Sequence, residues 1–258
     1  MQIKGTTFIV TGGASGLGEA TVRKLVQEGA NVAIFDLNDE NAEEIAKELG
    51  SQVFSPGKVD VTSEELVRNA IQKTLEHFKD SKLGGVINAG GVATAAVTAR
   101  RGKSSRTLTM DLFDFTVRVN LIGTYNVCRQ VSEVLVNQDP FTEDGERGVI
   151  INTASIAFQD GQKGQVAYAA SKGGVASMTL PMARDLAPAG VRVLGVAPGL
   201  FKTNMTAMVN DKVIKDAIFP NRMGNPSEFA SLIAHIIENG MLNGEVIRLD
   251  GATRLGKL

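Results

Sequence analysis

The sequence predicts an α/β fold in which one parallel sheet is covered on both faces by helices. Three observations predict it. Seven short apolar segments, rich in β-branched residues, recur along the 258 residues. Most of the intervals between them are long enough for a helix, and several carry apolar residues at helical spacing. A glycine-rich turn from Thr11 to Gly18 directly follows the first apolar segment. Regular alternation of strands and helices is typical of a parallel sheet buried on both faces.

The predicted elements follow one another without a break that would separate two domains. Strands are predicted at residues 7–10, Asn31–Phe35, 52–54, 85–88, 149–153, 191–196 and 245–249. Helices are predicted at residues 19–28, Asp39–Leu49, 63–78, 111–137, 165–186 and Pro226–Glu238, and residues 203–219 are irregular or helical. Because no Pro/Ser-rich linker and no repeat divides the chain, we expect residues 1–258 to form a single domain.

Composition excludes several classes of function. The net charge of −1 and the 21% of charged residues create no overall field that would recruit nucleic acid or anionic lipid, so we expect neither partner. A single cysteine, Cys128, excludes an internal disulfide and is most simply a small buried hydrophobe. With only two histidines, far apart, we expect no metal. No apolar run is long enough to span a bilayer. We expect a reducing compartment, the cytoplasm or, in a eukaryote, the mitochondrial matrix.

The glycine-rich turn predicts a pyrophosphate site. Glycine lets the backbone turn tightly and approach a phosphate closely, and the N-terminus of the following helix supplies free N–H groups and a positive dipole end. The spacing is Gly-x3-Gly-x-Gly, and the alternative is a turn with a structural role only. The residues that we expect to contact the cofactor here are Gly12, Ser15, Gly16, Leu17 and Gly18.

Three further strand ends carry residues suited to a dinucleotide. Asp36 ends the second predicted strand, where a carboxylate can accept both hydroxyls of an adenosine ribose and would repel a 2′-phosphate, so we expect NAD rather than NADP. Asp60 and Val61 end the third predicted strand, where the carboxylate could reach the adenine amino group; an exposed loop aspartate is the alternative. The fourth strand ends in residues with short side chains, Asn88, Ala89 and Gly90, which would let the cofactor lie against the sheet edge.

The predicted helix 165–186 carries a candidate proton-transfer pair. Tyr168 and Lys172 are four residues apart and therefore share one helix face. A phenol ordinarily has a pKa of about 10, and a neighbouring ammonium favours the phenolate, so we expect Lys172 to lower the pKa of Tyr168. A tyrosine so activated can exchange a proton with an alcohol oxygen. Ser155, which follows the fifth strand, can meet this face, although the Tyr-x-x-x-Lys spacing alone also occurs by chance.

Taken together, these motifs resemble those of the short-chain dehydrogenase/reductase family over essentially the whole chain. The resemblance rests on residues Thr11 to Gly18, Asn88 to Gly91, Asn120, Ser155, Tyr168, Lys172, Pro198 and Gly199. It implies a single-domain Rossmann fold in which Ser155 binds the substrate oxygen and Tyr168 is the general acid/base. It further implies that Lys172 binds the nicotinamide ribose and that Asn120 supports a water relay. Pro198, Gly199 and Thr203 would lie at the nicotinamide; a capping role is the alternative for Thr203.

Within the family, the chain is most similar to the type 2 3-hydroxyacyl-CoA dehydrogenases, through residues 148–155, 168–185, 197–201 and 243–252. This similarity implies NAD-linked interconversion of 3-hydroxyacyl-CoA and 3-ketoacyl-CoA, and a homotetramer. Gln162 could then hydrogen-bond the thioester carbonyl, or it could face solvent. Gly90 departs from the family pattern, which usually has alanine there, and we expect it to loosen the backbone. Residues 94–108 and 202–219 also depart from the pattern, so the substrate preference is the least secure implication.

Two groups of residues could contact an acyl-CoA. A basic cluster follows the fourth strand and comprises Arg100, Arg101, Lys103 and Arg106. We hypothesise that it contacts the phosphates of CoA, since arginine matches phosphate geometry; the alternative is a solvated loop. Phe201, Met205, Met208 and Phe219 could line an acyl pocket, and core packing explains them equally well.

Two other functions remain open from the sequence. The same chemistry could act on another secondary alcohol, such as a hydroxysteroid or a sugar alcohol. Alternatively, the chain could be a non-catalytic, NAD-binding scaffold subunit. Asn120, Ser155, Tyr168 and Lys172 together argue against a purely structural role.

Overall fold

One seven-stranded parallel sheet organises the computed structural model, which describes residues 1–102, 107–207 and 218–254. The strand order is β3-β2-β1-β4-β5-β6-β7. The strands are β1 Thr7–Thr11, β2 Asn31–Phe35, β3 Val53–Phe54, β4 Leu83–Asn88, β5 Gly148–Thr153, β6 Val191–Pro198 and β7 Val246–Leu249. The order reverses between β1 and β4, and a crevice opens beyond the carboxyl ends of the strands at such a point. The predicted fold class is confirmed.

Helices cover both faces of the sheet. They are α1 Gly16–Gln27, α2 Asp39–Leu49, α3 Glu64–His77, α4 Met110–Val117, α5 Thr124–Leu135, α6 Val166–Leu186 and α7 Pro226–Glu238. Their starts follow the local sequence. The Ser63 hydroxyl accepts from Leu66 N at 3.2 Å and caps α3, as predicted. Asn225 and Glu228 form a reciprocal capping box at the start of α7.

Two apolar layers hold the helices against the sheet. One layer packs α1, α2 and α7 on one face through residues such as Val22, Leu25 and Ile233, and the other packs α3, α5 and α6 on the opposite face through Ile71, Val131 and other buried side chains. Both faces of each central strand are therefore dry, which explains the continuous apolar runs in the sequence. Within the described residues, no helix is long and apolar enough to cross a membrane.

The helix predicted at residues 111–137 is not one regular helix. It consists of α4, a π-helical stretch over Arg118–Gly123, and α5, which ends at Leu135. A π-helical turn holds an additional residue, so it changes which side chains face inward on either side of it. Asn120 and Gly123 lie in this stretch, and both are buried. The irregularity therefore occurs where two inward-facing residues are placed beside the carboxyl edge of the sheet.

Candidate active site

The glycine-rich turn packs against the loop that follows β4. Gly12 has φ +64, and a Cβ added there would stand 2.6 Å from the Cα of Gly90. A Cβ at Gly18 would stand 2.0 Å from the carbonyl oxygen of Gly12. Neither position can hold a side chain without moving backbone. The turn thus leaves the N-terminus of α1 open toward the crevice, and this cradle fits a pyrophosphate.

Asp36 is fixed beside that turn by its own carboxylate. Oδ2 accepts a hydrogen bond from Ala14 N at 3.0 Å, and Oδ1 accepts one from Asn38 N at 3.0 Å. The carboxylate therefore stands between the end of β2 and the glycine-rich turn. In this position it can accept from ribose hydroxyls, and its negative charge opposes a 2′-phosphate.

Asp60 does not end the third strand, in contrast to the prediction. β3 ends at Phe54, six residues before Asp60. Asp60 nevertheless stays near β2, since Val59 N donates to Asp36 O at 2.8 Å. Asp60 Oδ1 accepts from both the backbone N and the hydroxyl of Thr62, at 2.9 and 2.8 Å. Asp60 and Val61 thus reach the predicted region from a loop instead of a strand end.

The loop after β4 is held by Thr11. Ala89 N donates to Thr11 O at 3.2 Å, and Gly90 N donates to Thr11 Oγ1 at 3.1 Å. A Cβ at Gly90 would stand 3.2 Å from Gly12 N, so the glycine relieves a tight contact while the loop backbone remains bonded. Asn88 points into the protein instead of toward the crevice, because its Nδ2 donates to Asn152 Oδ1 at 2.8 Å.

Ser155 and Tyr168 meet at the carboxyl edge of the sheet. Ser155 follows β5, and Tyr168 lies in the first turn of α6. Burial of the phenol raises the pKa of Tyr168, and the neighbouring Ser155 hydroxyl lowers it by less. The net pKa of Tyr168 is therefore above its ordinary value. The prediction that Lys172 lowers it is wrong for the protein chain alone.

The position of Lys172 explains that difference. Its Nζ lies 6.0 Å from the centre of the Tyr168 ring and donates to Thr153 O at 2.7 Å. Burial lowers the pKa of Lys172 to about 8. The ammonium is thus held by the end of β5 and lies over the ring of Tyr168.

Asn120 joins the active-site helix to the loop after β4. Its Oδ1 accepts from Val92 N at 2.8 Å, and its Nδ2 donates to Val92 O at 2.9 Å and to Ser171 Oγ at 3.0 Å. Ser171 Oγ in turn donates to Tyr168 O at 2.7 Å. Asn120 therefore positions the backbone that carries Tyr168; the water relay implied for it remains a prediction. Sequence reasoning missed Ser171, whose only signal was its place beside Lys172.

Comparison with known proteins decides the family. The family model for short chain dehydrogenase matches residues 6–214. 3-Hydroxyacyl-CoA dehydrogenase type-2 of Bos taurus is 48% identical over 259 residues, which cover 98% of this chain and 97% of that protein. The human protein of the same name is 47% identical with the same coverage. The crystal structure of 3-hydroxyacyl-CoA dehydrogenase type-2 from Mycobacterium avium superposes with a TM-score of 0.92 at 42% identity, covering 98% of each chain.

The chain belongs to the short-chain dehydrogenases. It is therefore an oxidoreductase. Ser155, Tyr168 and Lys172, which are predicted to act in its chemistry, lie at the carboxyl edge of the sheet. A 3-ketoacyl-(acyl-carrier-protein) reductase from Brucella melitensis, solved with NADH, has a TM-score of 0.82 at 27% identity and covers 97% of this chain and 99% of its own.

In this dehydrogenase the end of β6 closes the cofactor crevice. Pro198 ends β6, and Gly199 N donates to Leu249 O at 2.9 Å. Thr203 lies over the glycine-rich turn, since a Cβ at Gly16 would stand 3.3 Å from its Cγ2. Thr203 is also bonded to Thr206, in a capping box at the start of a short 3₁₀ turn. The capping role is thus present, and the predicted contact with a nicotinamide remains a prediction.

On the substrate side, the dehydrogenase has a cavity of about 570 Å³ between the loop after β4 and the loop before α6. Arg100, Arg101, Gln162 and Lys163 are among the residues that line it. Gln162 Nε2 is buried and has no hydrogen-bond partner within the described residues. The sequence analysis did not predict Lys163, because this lysine is in the loop before α6 and the predicted basic cluster is in the loop after β4. Lys103 and Arg106 lie outside the described residues.

The described residues among the four proposed for an acyl pocket differ in burial. Phe201 is buried and packs edge-on against Phe229, with ring centroids 6.4 Å apart, so it belongs to the core. Met205 and Phe219 are exposed, and Met208 lies outside the described residues. Core packing is therefore the explanation for Phe201, and the acyl pocket remains a prediction for the other three. Cys128 is fully buried beside Asn88 and Asn152, as expected of a small hydrophobe.

Proposed function

We propose that this short-chain dehydrogenase interconverts 3-hydroxyacyl-CoA and 3-ketoacyl-CoA with NAD as cofactor. One observation carries the proposal: the loop that leads into the Tyr168 helix lines a cavity together with Arg100 and Arg101, and the buried amide nitrogen of Gln162 in that loop has no hydrogen-bond partner within the described residues. Similarity over nearly the whole chain to enzymes named 3-hydroxyacyl-CoA dehydrogenase type-2 supports the same substrate class.

The nucleotide crevice fits NAD on three features. The glycine-rich turn fits a pyrophosphate, and the Asp36 carboxylate fits an unphosphorylated ribose. We expect the Asp60 carboxylate to accept a hydrogen bond from the adenine amino group. When bound, the nicotinamide supplies the hydride acceptor or donor. The backbone segments that carry these residues are joined by hydrogen bonds, so the fold itself fixes the shape of the crevice.

In the proposed reaction Ser155 orients the substrate oxygen and Tyr168 transfers the proton. Ser155 donates a hydrogen bond to the substrate oxygen at C3 and so orients it. Tyr168 gives its phenol proton to that oxygen during reduction and takes it back during oxidation. Because burial raises the pKa of Tyr168, its phenol is protonated at neutral pH and is ready to act as the acid. For oxidation, positive charge from Lys172 and from the oxidised cofactor favours the phenolate.

We assign the CoA moiety to the cavity beside Gln162. Its basic lining residues on two different loops, Arg100, Arg101 and Lys163, can face phosphates from two sides. The Gln162 amide can donate to the thioester carbonyl, which gives its buried Nε2 the partner that it otherwise lacks. The assignment also explains why these charges cluster in a protein with a net charge of only −1.

We further propose a homotetramer of single-domain subunits. Large apolar side chains are exposed on two neighbouring helical segments, with Phe115, Ile122 and Tyr125 on one and Val166 and Leu180 on the other. Exposed apolar faces of this kind mark association surfaces. One continuous sheet supports a single domain. We place the protein in the cytoplasm or, in a eukaryotic cell, in the mitochondrial matrix, where its one thiol stays reduced.

A second candidate is a dehydrogenase of another secondary alcohol. An ipsdienol dehydrogenase from Ips pini is 35% identical over 258 residues, so the same scaffold serves a small alcohol without CoA. Rates of NADH consumption with acetoacetyl-CoA and with a ketosteroid separate the two. We expect acetoacetyl-CoA to be consumed and the ketosteroid to be a poor substrate. A preference for the ketosteroid would support the second candidate, and NADH binding without turnover of either would support a scaffold role.

A further inference from the structure

Two buried amide side chains on α5, Asn126 and Gln130, lie outside the catalytic set. They are 7% and 5% exposed, and they stand one helical turn apart. Gln130 Nε2 donates to Asn126 Oδ1 at 2.8 Å. Burying an amide is costly unless its polar atoms are hydrogen-bonded. The other partners of this pair therefore indicate what it does.

Those partners are one backbone carbonyl in the loop between β3 and α3 and one at the first residue of α3. Asn126 Nδ2 donates to Val61 O at 2.8 Å, and Gln130 Nε2 also donates to Glu64 O at 3.1 Å. The loop packs closely on the same helical segment, since a Cβ at Gly123 would stand 2.6 Å from Val61 Cγ2. The position of the loop is thus set by α5 and by the π-helical stretch before it.

The peptide group between Val61 and Thr62 is held on both sides. Its carbonyl accepts from Asn126, and its N–H donates to Asp60 Oδ1 at 2.9 Å. Rotation of this peptide would therefore move the hydrogen bond that orients the Asp60 carboxylate. Asparagine suits the position because its amide donates to Val61 and at the same time accepts from Gln130. An aspartate would bring a carboxylate oxygen against the Val61 carbonyl.

We propose that Asn126, supported by Gln130, is a positioning residue for the adenine half of NAD. It does not reach the cofactor; it acts through the Val61 peptide on the Asp60 carboxylate. The inference rests on the proposed function in one respect, the assignment of Asp60 to the adenine. It predicts that loss of Asn126 weakens binding of the adenosine part of the cofactor and leaves binding of the nicotinamide part unchanged.

The test compares two reduced nicotinamides that fluoresce, NADH and reduced nicotinamide mononucleotide, which lacks adenosine. Their dissociation constants are measured by fluorescence titration for the wild-type protein, for Asn126→Ala, and for Asn137→Ala. Asn137 is a matched control, because it is exposed just beyond the end of α5 and donates only locally, to Glu133 O at 2.7 Å. Binding needs no substrate, so failure of the acyl-CoA assignment would not affect the result.

We expect Asn126→Ala to raise the dissociation constant of NADH about tenfold, as for loss of one buried hydrogen bond, with that of the mononucleotide unchanged. Gln130→Leu removes the hydrogen bond that supports Asn126, so it should raise the dissociation constant of NADH by a smaller factor. If Asn126→Ala does not fold, Gln130→Leu provides the test. An unchanged NADH constant in the folded variants would overturn the proposal. An equal loss for both ligands would also overturn it, because it indicates a general structural role.

Discussion

Lys172 lies one helical turn from Tyr168, yet its ammonium donates to the carbonyl oxygen of Thr153 and stands 6.0 Å from the centre of the phenol ring. Both side chains are removed from water, which lowers the pKa of Lys172 and raises that of Tyr168. Burial therefore opposes ionisation of both groups. Ionisation of Tyr168 during catalysis therefore depends on the positive charges of Lys172 and of the bound oxidised cofactor.

The buried Lys172 predicts that stability depends on pH. Below a pH of about 8 the lysine is protonated in both the folded and the unfolded chain. Between about 8 and the ordinary value of 10.5, the folded chain has lost the proton while the unfolded chain keeps it. The free energy of unfolding should therefore rise with pH across this window, by about 3 kcal/mol from this group. Urea unfolding from pH 7 to pH 10 measures it. Lys172→Met should lack this contribution, and equal pH dependence in both proteins would contradict it.

Asp36 predicts the choice between NAD and NADP. Asp36→Ala removes the negative charge that opposes a 2′-phosphate, and it also removes an acceptor for the ribose hydroxyls. We expect kcat/KM with NADPH relative to NADH to rise by about tenfold or more, as for loss of a repulsive contact worth over 1.4 kcal/mol. Steady-state kinetics with both cofactors measure this ratio. Glu40→Ala, an exposed change at the start of α2, is the control and should leave the ratio unaltered.

The basic lining of the cavity predicts a substrate-specific change in KM. Replacing Arg100, Arg101 and Lys163 together by alanine should raise the KM for acetoacetyl-CoA roughly tenfold, since charge-assisted contacts to phosphate are lost. The KM for an acetoacetyl thioester of N-acetylcysteamine, which has no nucleotide, should stay the same. Lys58→Ala, an exposed lysine outside the cavity, serves as the control. A similar rise for both thioesters would show that the three residues do not bind phosphates.

A buried ion pair far from the active site predicts a pure stability effect. Glu146 Oε1 lies 2.7 Å from Arg192 Nη2, and both side chains are almost fully buried. Glu146→Gln leaves the guanidinium without its counter-charge, so we expect a loss of about 3 kcal/mol in the free energy of unfolding. The exposed pair of Arg23 and Glu48 offers the control, because water screens its charges and Glu48→Gln should therefore cost much less stability than Glu146→Gln. Thermal unfolding compares the two variants, and equal losses would contradict the prediction.

Local sequence signals predicted the sheet, the glycine-rich turn and the meeting of Ser155 with Tyr168. These features depend on strand and helix periodicity and on the geometry of parallel strand ends, which short stretches of sequence encode. The π-helical stretch at Asn120 could not be predicted, because one additional residue in a helix hardly changes the apolar pattern. Its consequence, the placing of Asn120 against Ser171, was therefore also missed.

The direction of the Tyr168 pKa shift shows a different limit. Four-residue spacing correctly puts Lys172 on the same helix face, but the pKa of Tyr168 is raised chiefly by burial of the phenol. The Lys172 ammonium itself is held by the carbonyl of Thr153, nineteen residues earlier in the chain. The four-residue spacing of Tyr168 and Lys172 carries no information on burial or on contacts with residues distant in sequence. Asp60 was placed at the end of the third strand, but β3 ends six residues before it and Asp60 lies in the following loop.

The most direct test of the proposed mechanism is the turnover of Tyr168→Phe with acetoacetyl-CoA and NADH. The chain has only two tyrosines, and Tyr125 is exposed on α5, so Tyr125→Phe is a matched control. We predict that Tyr168→Phe loses nearly all turnover while binding NADH with close to wild-type affinity, and that Tyr125→Phe keeps its turnover. Substantial turnover in Tyr168→Phe would contradict the assignment of Tyr168 as the general acid/base.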